Sequence, residues 1–321
     1  MEHIKFFIGP MSKNIVDAIL EYVEETGNKI GLIPSRRQVE YNGGYVNNWT
    51  TEQFSKYVNK RTIIKRDHSG PGQGYKEDDG FNSLKEDCKW LDIIHIDPWK
   101  KYTSYEEGLK WTIDMINFCY KENPNVKFEV GTEQAIREFE SEELNKLLED
   151  LKKSLLPEVF SNIDYLVIQS GTSLKGNSNT GEYSKGRLED MVNIANKWNL
   201  ISKEHNGDYI PAALIKEKMK LGLNSINIAP EFGLLETNTY LNKILDESLL
   251  DKLWKICYDS KRWVKWVDES FDPLVNKREL IKICGHYILS TPEFIELKKV
   301  FGNIDTEIKS NVKSKLRELY G

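Results

Sequence analysis

The sequence has few cysteines, and they form no recognisable motif. Cys88, Cys119, Cys257 and Cys284 are far apart, and no two of them form a Cys-x-x-Cys pair. This spacing argues against a zinc ribbon, a thioredoxin-type redox motif and a disulfide framework. Each cysteine falls in a helical pattern, so we expect four buried, reduced thiols.

Long apolar runs are also missing. No stretch approaches the roughly 18 consecutive apolar residues that a membrane-spanning helix needs. The first residues, MEHIKFFIGPMSKNIVDAILEY, lack the charged start, the long apolar stretch and the small-residue cleavage site of a signal peptide. We therefore expect a cytoplasmic protein that does not contact a membrane.

Charges of both signs are mixed along the chain, and no basic stripe is present. The net charge of the 321 residues is −5, with 30% charged and 39% hydrophobic residues, which is typical of a soluble globular protein. A weak negative charge without a block of Lys and Arg interleaved with aromatic residues argues against a nucleic-acid partner.

One pattern recurs eight times: a short apolar run ends in polar or glycine residues, and an amphipathic segment follows. The apolar runs are KFFIG, KIGLIPS, TIIKRDH, DIIHID, VKFEVG, DYLVIQSG, LISKEH and SINIAP. Such runs predict buried parallel strands, and the segments between them predict helices. Eight units predict a closed (β/α)8 TIM barrel. An open doubly wound sheet is the alternative, but its GxGxxG fingerprint is missing after the first strand.

The alternation stops near residue 248. Beyond this point the segments DKLWKICYDSKRWVKWV, KRELIKICGHYIL and DTEIKSNVKSKLRELY predict helices. We predict a barrel over residues 1–248 and a C-terminal helical extension over residues 249–321, packed on the barrel or on a partner. We expect the aromatic residues of the extension to serve packing and His286 to be structural.

Polar residues end almost every predicted strand, and active sites of TIM barrels lie at these carboxyl ends. Three of the five histidines, His68, His95 and His205, stand there. The other polar residues at strand ends are Ser35, Arg36, Arg37, Gln38, Asp67, Asp97, Glu129, Thr132, Glu133, Gln169, Ser170, Glu204 and Glu231. Converging imidazoles and carboxylates can bind a divalent metal ion that stabilises an enolate, while a carboxylate moves the proton. The alternative is that these groups only cap strands.

Several strings at the strand ends resemble one family. RRQVEYNGGYVNNWTTEQFSKYV, RDHSGPGQG, EVGTE, VIQSGTSLK and SKEHNGDY look like parts of the Z-subunit family of tagatose-bisphosphate aldolase. That family is related to the metal-dependent class II ketose-bisphosphate aldolases. The resemblance spans roughly residues 5 to 240 and implies a divalent metal cofactor, with Zn²⁺ as the first candidate, and a small carbohydrate substrate.

The resemblance also implies roles for single residues. The residues that match DH in class II aldolases are a catalytic aspartate and a metal-binding histidine, which assigns proton transfer to Asp67 and metal binding to His68. His205 matches a second metal-binding histidine. Asp97 and Glu129 match acidic positions beside the metal, and Glu129 is also a catalytic candidate.

The sequence departs from the class II pattern after the sixth predicted strand. Class II aldolases have a metal-binding His-Gly pair there, whereas QSGTS places Ser170 before the glycine. The remaining histidines could then recruit Glu129, Asp97 or Glu204, and such oxygen ligands leave the identity of the ion open.

The residues that would contact a substrate are also predicted. The phosphate loop of class II aldolases after the seventh strand is replaced by HNGDYIPA, so we would look for a phosphate at Arg36, Arg37 or Lys175. The loop GTSLKGNSNTGEYSKG is expected to close over the substrate. The further candidate substrate contacts are Ser35, Gln38, His95, Gln169, Ser170, Glu204, Asn206 and Glu231.

Two functions remain open. The first is a carbon-carbon lyase of the class II aldolase type that acts on a sugar or sugar phosphate through an enolate. The second is a non-catalytic subunit that stabilises a separate aldolase subunit. Converging charges favour the enzyme, because a scaffold does not need groups that are costly to desolvate. The missing strand-six histidine favours the stabiliser, and the amphipathic C-terminal helices also allow self-association.

Overall fold

Parallel strands form the inner wall of the protein in the computed structural model, which describes residues 3–321. The strands are β1 (Phe6–Ile8), β2 (Ile30–Leu32), β3 (Lys65–Ser69), β4 (Ile93–Ile96), β5 (Lys127–Val130), β6 (Ile163–Ile168), β7 (Leu174–Lys175), β8 (Ser178–Asn179), β9 (Ile201–Glu204) and β10 (Ser225–Ile228). The short strands β7 and β8 form an antiparallel hairpin, and the other eight form one sheet.

Helices alternate with these strands and continue beyond the last one. They are α1 (Lys13–Thr26), α2 (Thr51–Val58), α3 (Phe81–Trp90), α4 (Tyr105–Glu122), α5 (Ser141–Ser154), α6 (Pro157–Phe160), α7 (Lys185–Lys197), α8 (Ala212–Lys220), α9 (Pro230–Lys243), α10 (Glu247–Asp259), α11 (Lys277–Cys284), α12 (Pro292–Lys298) and α13 (Ile304–Tyr320). No helix within residues 3–321 has the length and apolar character needed to cross a bilayer.

The sheet closes on itself between β2 and β3. Its strands follow the order β2-β1-β10-β9-β6-β5-β4-β3, and each pair is parallel. Two parallel bridges, Leu32 with Ile64 and Ser35 with Asp67, join the two ends of the sheet. The predicted (β/α)8 barrel is confirmed, and each of the eight predicted apolar runs contains or overlaps one barrel strand.

The sequence explains the ends of individual elements. Helix α1 begins after Ser12, whose hydroxyl accepts a hydrogen bond from the backbone N–H of Ile15 at 3.1 Å. It ends at Gly27, which has a φ of 72°, because glycine adopts this left-handed conformation without a steric penalty. The residues of β1 are fully buried, as expected for a parallel strand covered by helices.

Two of the three predicted helices of the extension are shorter than expected, whereas the predicted segment 305–320 is helical throughout. The segment 251–267 leaves the helix after Asp259, because Lys261 has a φ of 55° that a continuing helix does not allow. The segment 277–289 is helical only to Cys284 and then forms a 3-10 turn. The helices α6 and α12 were not predicted.

The extension contacts the first and last helices of the barrel. Helix α13 packs against α1 and α9, and Lys309 and Lys313 at its surface lie 2.6 and 2.8 Å from the carboxylate of Glu21 in α1. The division at residue 248 stays a prediction. The four cysteines are buried and reduced, as expected.

A buried ion pair fastens β3 to α3. Arg66 and Asp87 are fully buried and form two hydrogen bonds of 2.6 and 2.8 Å. We expect Asp87→Ala to lower the free energy of unfolding by about 3–5 kcal/mol, because it leaves the guanidinium buried without its counter-charge. Urea unfolding tests this. The control Asp114→Ala removes an exposed pair with Lys110 and should cost about 0.5 kcal/mol or less.

Candidate active site

Three imidazole rings meet at the carboxyl ends of β3, β4 and β9. The ring centroids of His68, His95 and His205 lie 4.9 to 5.0 Å apart in each pair. One ligand atom from each ring and one carboxylate oxygen of Asp67 all lie within 4.8 Å of one another. The fold therefore gathers residues from three strands into a group that could hold one metal ion.

Each ring is held by an acceptor at one of its nitrogens. The contacts are His68 Nδ1 to Asp97 Oδ2 at 2.6 Å, His205 Nε2 to Glu129 Oε1 at 2.9 Å, and His95 Nε2 to the Gly131 carbonyl at 2.9 Å. An acceptor at one ring nitrogen keeps the proton there and leaves the lone pair on the other nitrogen. The arrangement thus has the outer hydrogen bonds that metal-binding histidines usually have.

The inner nitrogens face one another. His68 Nε2 and His205 Nδ1 lie 3.3 Å apart. The third inner nitrogen, His95 Nδ1, lies 3.3 Å from the backbone N–H of His68, which makes a long hydrogen bond to it. Two lone pairs this close repel each other unless a proton or a cation lies between them. The donor set therefore fits a divalent metal ion.

A bulge explains how adjacent residues of β3 can both face this centre. Side chains along a strand alternate between its two faces, and accordingly Lys65 points into the barrel while Arg66 points towards α3. The pairing with β4 shifts by one residue between Arg66 and Ser69, and His68 has a φ of 45°. This left-handed conformation is uncommon for residues other than glycine, and together with the bulge it turns His68 towards the mouth beside Asp67.

The central groups hold different charges. Burial lowers the pKa of His68, but Asp67 and Asp97 outweigh burial and raise this pKa to about 10. Burial lowers the pKa of His95 and that of His205 well below the usual histidine range. Burial raises the pKa of Asp67. The neighbouring histidines outweigh burial, so the net shift of this pKa is downward. His95, His205 and Asp67 are thus in the forms that bind a metal ion, whereas His68 has to release a proton when an ion binds.

A buried charge network lies beneath the rings. The carboxylate of Glu129 forms an ion pair with Lys65 and lies 3.8 Å from Lys203 Nζ. All three side chains are fully buried, and Lys203 Nζ also lies 3.6 Å from the centre of the Phe7 ring. Burial lowers the pKa of Lys65 well below the usual lysine range and lowers that of Lys203 to about 7. Both lysines hold the Glu129 carboxylate in place, and its Oε1 accepts a hydrogen bond from His205 Nε2.

A cavity of about 370 Å³ opens above the rings. Asp67 and His68 lie in its wall, together with Glu133, whose Oε2 is 3.7 Å from His68 Nε2. Burial raises the pKa of Glu133. Other walls come from the residues Arg37, Gln38, Gln73, Lys100, Asn177, Tyr209, Lys265, Trp266, His286 and Tyr287. The last four belong to the C-terminal extension, in which we expected the aromatic residues to serve packing and His286 to be structural.

Several predicted substrate contacts line this cavity or lie beside it. Ser35, Arg37 and Gln38 follow β2 and belong to the cavity wall. His95 lies deeper, as the third ring of the cluster. Asn206 has a φ of 60°, and its side chain lies close enough to Glu133 to lower the pKa of that carboxyl group. The structure thus brings these residues together with Asp67 and His68.

Other predicted contacts point away from the rings. Arg36 is buried and forms ion pairs of 2.6 Å with both Glu40 and Asp78. The amide nitrogen of Gln169 donates to the carbonyls of Thr132 and Arg137, both at 2.8 Å. These groups hold loops against the barrel.

The residues at the ends of β6 and β9 form a separate polar cluster. Ser170 donates a hydrogen bond to Glu204, and Lys218 Nζ lies 2.9 Å from the same carboxylate. Glu231 accepts from the backbone N–H of Tyr209 and pairs with Lys315, both at 2.8 Å. None of the predicted contacts Ser170, Glu204 and Glu231 belongs to the ring cluster.

Lys175 is exposed on the hairpin of β7 and β8, which interrupts the loop expected to close over the substrate. The hairpin still reaches the cavity, since Gly176 and Asn177 line it. Sequence reasoning placed Glu133 at a strand end without assigning it a role, and it did not single out Gln73, Lys65, Lys203 or Lys265. The position of Glu133 after β5 was its signal, whereas the others carry no motif.

Comparisons with known proteins show the fold. The sequence matches no family profile and no curated protein. A solved structure described as a probable tagatose 6-phosphate kinase from Sinorhizobium meliloti is 13% identical, with a TM-score of 0.77 and 99% of both chains covered. A fructose-bisphosphate aldolase from Campylobacter jejuni is 12% identical, with a TM-score of 0.58 over 98% of this chain and 90% of that chain.

The YdjI aldolase from Escherichia coli K12 is 14% identical, with a TM-score of 0.54 over 94% of this chain and 92% of that chain. Identities this low show a shared architecture and not a shared activity. The resemblance noted in the sequence is thereby supported at the level of the fold. This chain has a TIM barrel of the type found in these aldolases.

Proposed function

We propose that this protein is a metal-dependent aldolase of the class II type, which makes or breaks a carbon-carbon bond in a sugar or sugar phosphate through an enolate. One observation carries the proposal. Three imidazoles direct one nitrogen each to a common point beside Asp67, and acceptors hold their outer nitrogens. The aldolases of the same fold add support.

In this proposal His68, His95 and His205 hold the ion. Three imidazoles with an open position are the ligand set of many catalytic zinc sites, so Zn²⁺ is our first candidate. A divalent ion bound there would polarise a substrate carbonyl and stabilise the negative charge of the enolate. His95 then takes the place of the histidine that is missing after the sixth strand.

Asp67 is the proton-transfer group in this proposal. Its Oδ1 accepts a hydrogen bond of 3.1 Å from Asn227 Nδ2, which fixes the orientation of the carboxylate. Its lowered pKa keeps it ionised near neutral pH and therefore able to accept a proton. We assign Asp97 and Glu129, expected from sequence as ligands, to orienting His68 and His205.

Metal analysis of the chain purified alone is the first test. We expect about one divalent ion per chain, and exchange of a proton alpha to the carbonyl of a ketose or of dihydroxyacetone phosphate. Aldehydes offered with dihydroxyacetone phosphate or pyruvate should then identify the acceptor. A chain that binds no metal and exchanges no proton, but raises the rate or stability of a co-expressed aldolase, would be the stabilising subunit instead.

A further inference from the structure

Positive charges gather on one side of the cavity. Arg37 follows β2, Lys100 follows β4, and Lys265 belongs to the C-terminal extension, and all three line the cavity wall. Arg37 is half-buried, whereas Lys100 and Lys265 are exposed at the rim. Three separate parts of the chain therefore bring cations to one opening.

These cations lack partners of opposite charge. Within residues 3–321, no carboxylate lies within ion-pair distance of Arg37, Lys100 or Lys265. Arg37 Nε donates to the Gly74 carbonyl at 3.3 Å, and Lys100 Nζ donates to the Gly72 carbonyl at 3.1 Å. Among the described residues, Arg37 and Lys100 thus donate to neutral carbonyl oxygens.

Lys265 is held by aromatic rings instead. Its Nζ lies 4.2 Å from the centre of the Trp266 ring and 5.9 Å from that of Tyr287. Burial, Arg37, Lys100 and Arg262 together lower the pKa of Lys265 to about 8. Burial makes the largest contribution to this lowered pKa, and the neighbouring cations add to it.

The carboxylates that line the cavity lie next to the rings. Asp67 Oδ2 and Glu133 Oε2 are 3.9 and 3.7 Å from His68 Nε2. A fourth cation of the cavity, Lys282, lies 3.4 Å from Glu279 and is thereby partly neutralised. The cavity is thus acidic next to the histidine rings and positively charged at its rim.

We infer that Arg37, Lys100 and Lys265 form a subsite for the dianionic phosphate group of the substrate, to which the C-terminal extension contributes Lys265. The identity of the substrate rests on the proposed function, but binding of the anion does not. Three cations without an ion-pair partner match a phosphate dianion better than a carboxylate monoanion, and a guanidinium suits two phosphate oxygens at once. The extension would then complete the binding site in addition to covering the barrel.

Titration of inorganic phosphate into the full chain, treated with a chelator to remove metal ions, tests this subsite by calorimetry at pH 7.5. We expect saturable binding that weakens as salt is added, because the contacts are charged and partly exposed. Lys265→Met should weaken binding at least about tenfold, a typical effect of losing one charged contact. Arg37→Met and Lys100→Met should act in the same direction.

The control is Lys255→Met, which removes the same charge from the same extension. Lys255 is exposed on α10 and pairs with Asp259 at 2.9 Å, so phosphate affinity should stay unchanged. Unfolding curves of each variant will show whether the fold is intact. If Lys265→Met and Lys255→Met bind phosphate equally well, the subsite is not there.

Binding of sulfate and of acetate shows whether the subsite prefers a dianion to a carboxylate monoanion. Sulfate should compete with phosphate, whereas acetate should bind at least about tenfold more weakly. Acetate binding as tight as that of phosphate would overturn the assignment to a dianion. Because no turnover is needed, a protein that binds phosphate but catalyses nothing would refute the proposed aldolase and keep the subsite.

Discussion

Replacing His95 with alanine is expected to abolish stable binding of a divalent ion. His95 contributes one of three converging nitrogens, and its loss leaves two rings and a carboxylate. Changes in outer hydrogen-bond partners of metal ligands already cost about 10–100-fold in affinity, so loss of a ring should cost at least about 100-fold. Competition with a chromophoric chelator measures the affinity, and elemental analysis measures the occupancy.

His3→Ala is the matched control, since it removes an imidazole that lies outside the cluster. It should bind the ion like the natural chain. Because His95 is fully buried, unfolding in urea should accompany each measurement, and His95→Gln provides a variant with similar side-chain volume. Full metal occupancy in a folded His95→Ala chain would show that His95 is not a ligand. The histidine that is missing after the sixth strand would then have no replacement.

The same assay distinguishes the roles of Asp97. If Asp97 orients His68, Asp97→Asn should retain most of the affinity for the metal ion, because the amide oxygen can still accept a hydrogen bond from His68 Nδ1. Asp97→Ala should then lose about 10–100-fold. Equal losses in both variants would instead indicate that the Asp97 carboxylate itself binds the ion, as expected from sequence.

Asp67→Asn is expected to lower the rate of proton exchange at least about 1,000-fold while metal binding and fold persist. Asparagine has the same shape and keeps an oxygen that can accept from Asn227 Nδ2, but it cannot take up a proton. Proton transfer by a positioned side chain contributes about 10²–10⁴-fold to a rate. The exchange of substrate protons with deuterated water, followed by NMR, gives the rate directly.

Asp164→Asn serves as the control for this substitution. Asp164 lies near the start of β6, at the end of the barrel opposite the rings, and is 3.6 Å from Lys127. Its replacement should leave the rate unchanged. If Asp67→Asn exchanged protons as fast as the natural chain, another group, with Glu133 the nearest candidate, would have to move the proton.

The barrel could be predicted because its signals are local. Each buried parallel strand needs a run of apolar residues, and each covering helix needs an apolar face, so the alternation is written in short segments such as KFFIG and SINIAP. The positions of His68, His95 and His205 at strand ends followed from the same pattern. Helix ends were less predictable in the extension, where Lys261 adopts a left-handed conformation.

The roles of individual side chains were harder to predict. Along a regular strand, Asp67 and His68 would face opposite sides, and only the bulge in β3 brings both to the mouth. Likewise, no local signal distinguishes Glu204, which points to Lys218, from His205, which points to the centre. The family resemblance suggested a missing third histidine, and the fold places the His95 ring of β4 beside those of His68 and His205.

The amino-acid sequence by itself determined the eightfold alternation, the strand ends at which chemistry was expected and the Asp-His pair at the end of β3. Only the tertiary structure decided which polar groups converge, that Glu129 rests between two buried lysines, and that the C-terminal extension brings Lys265 to the mouth. The physical reason is distance along the chain. Periodicity reports the burial of neighbouring residues, whereas a site depends on directions and contacts between residues far apart in sequence.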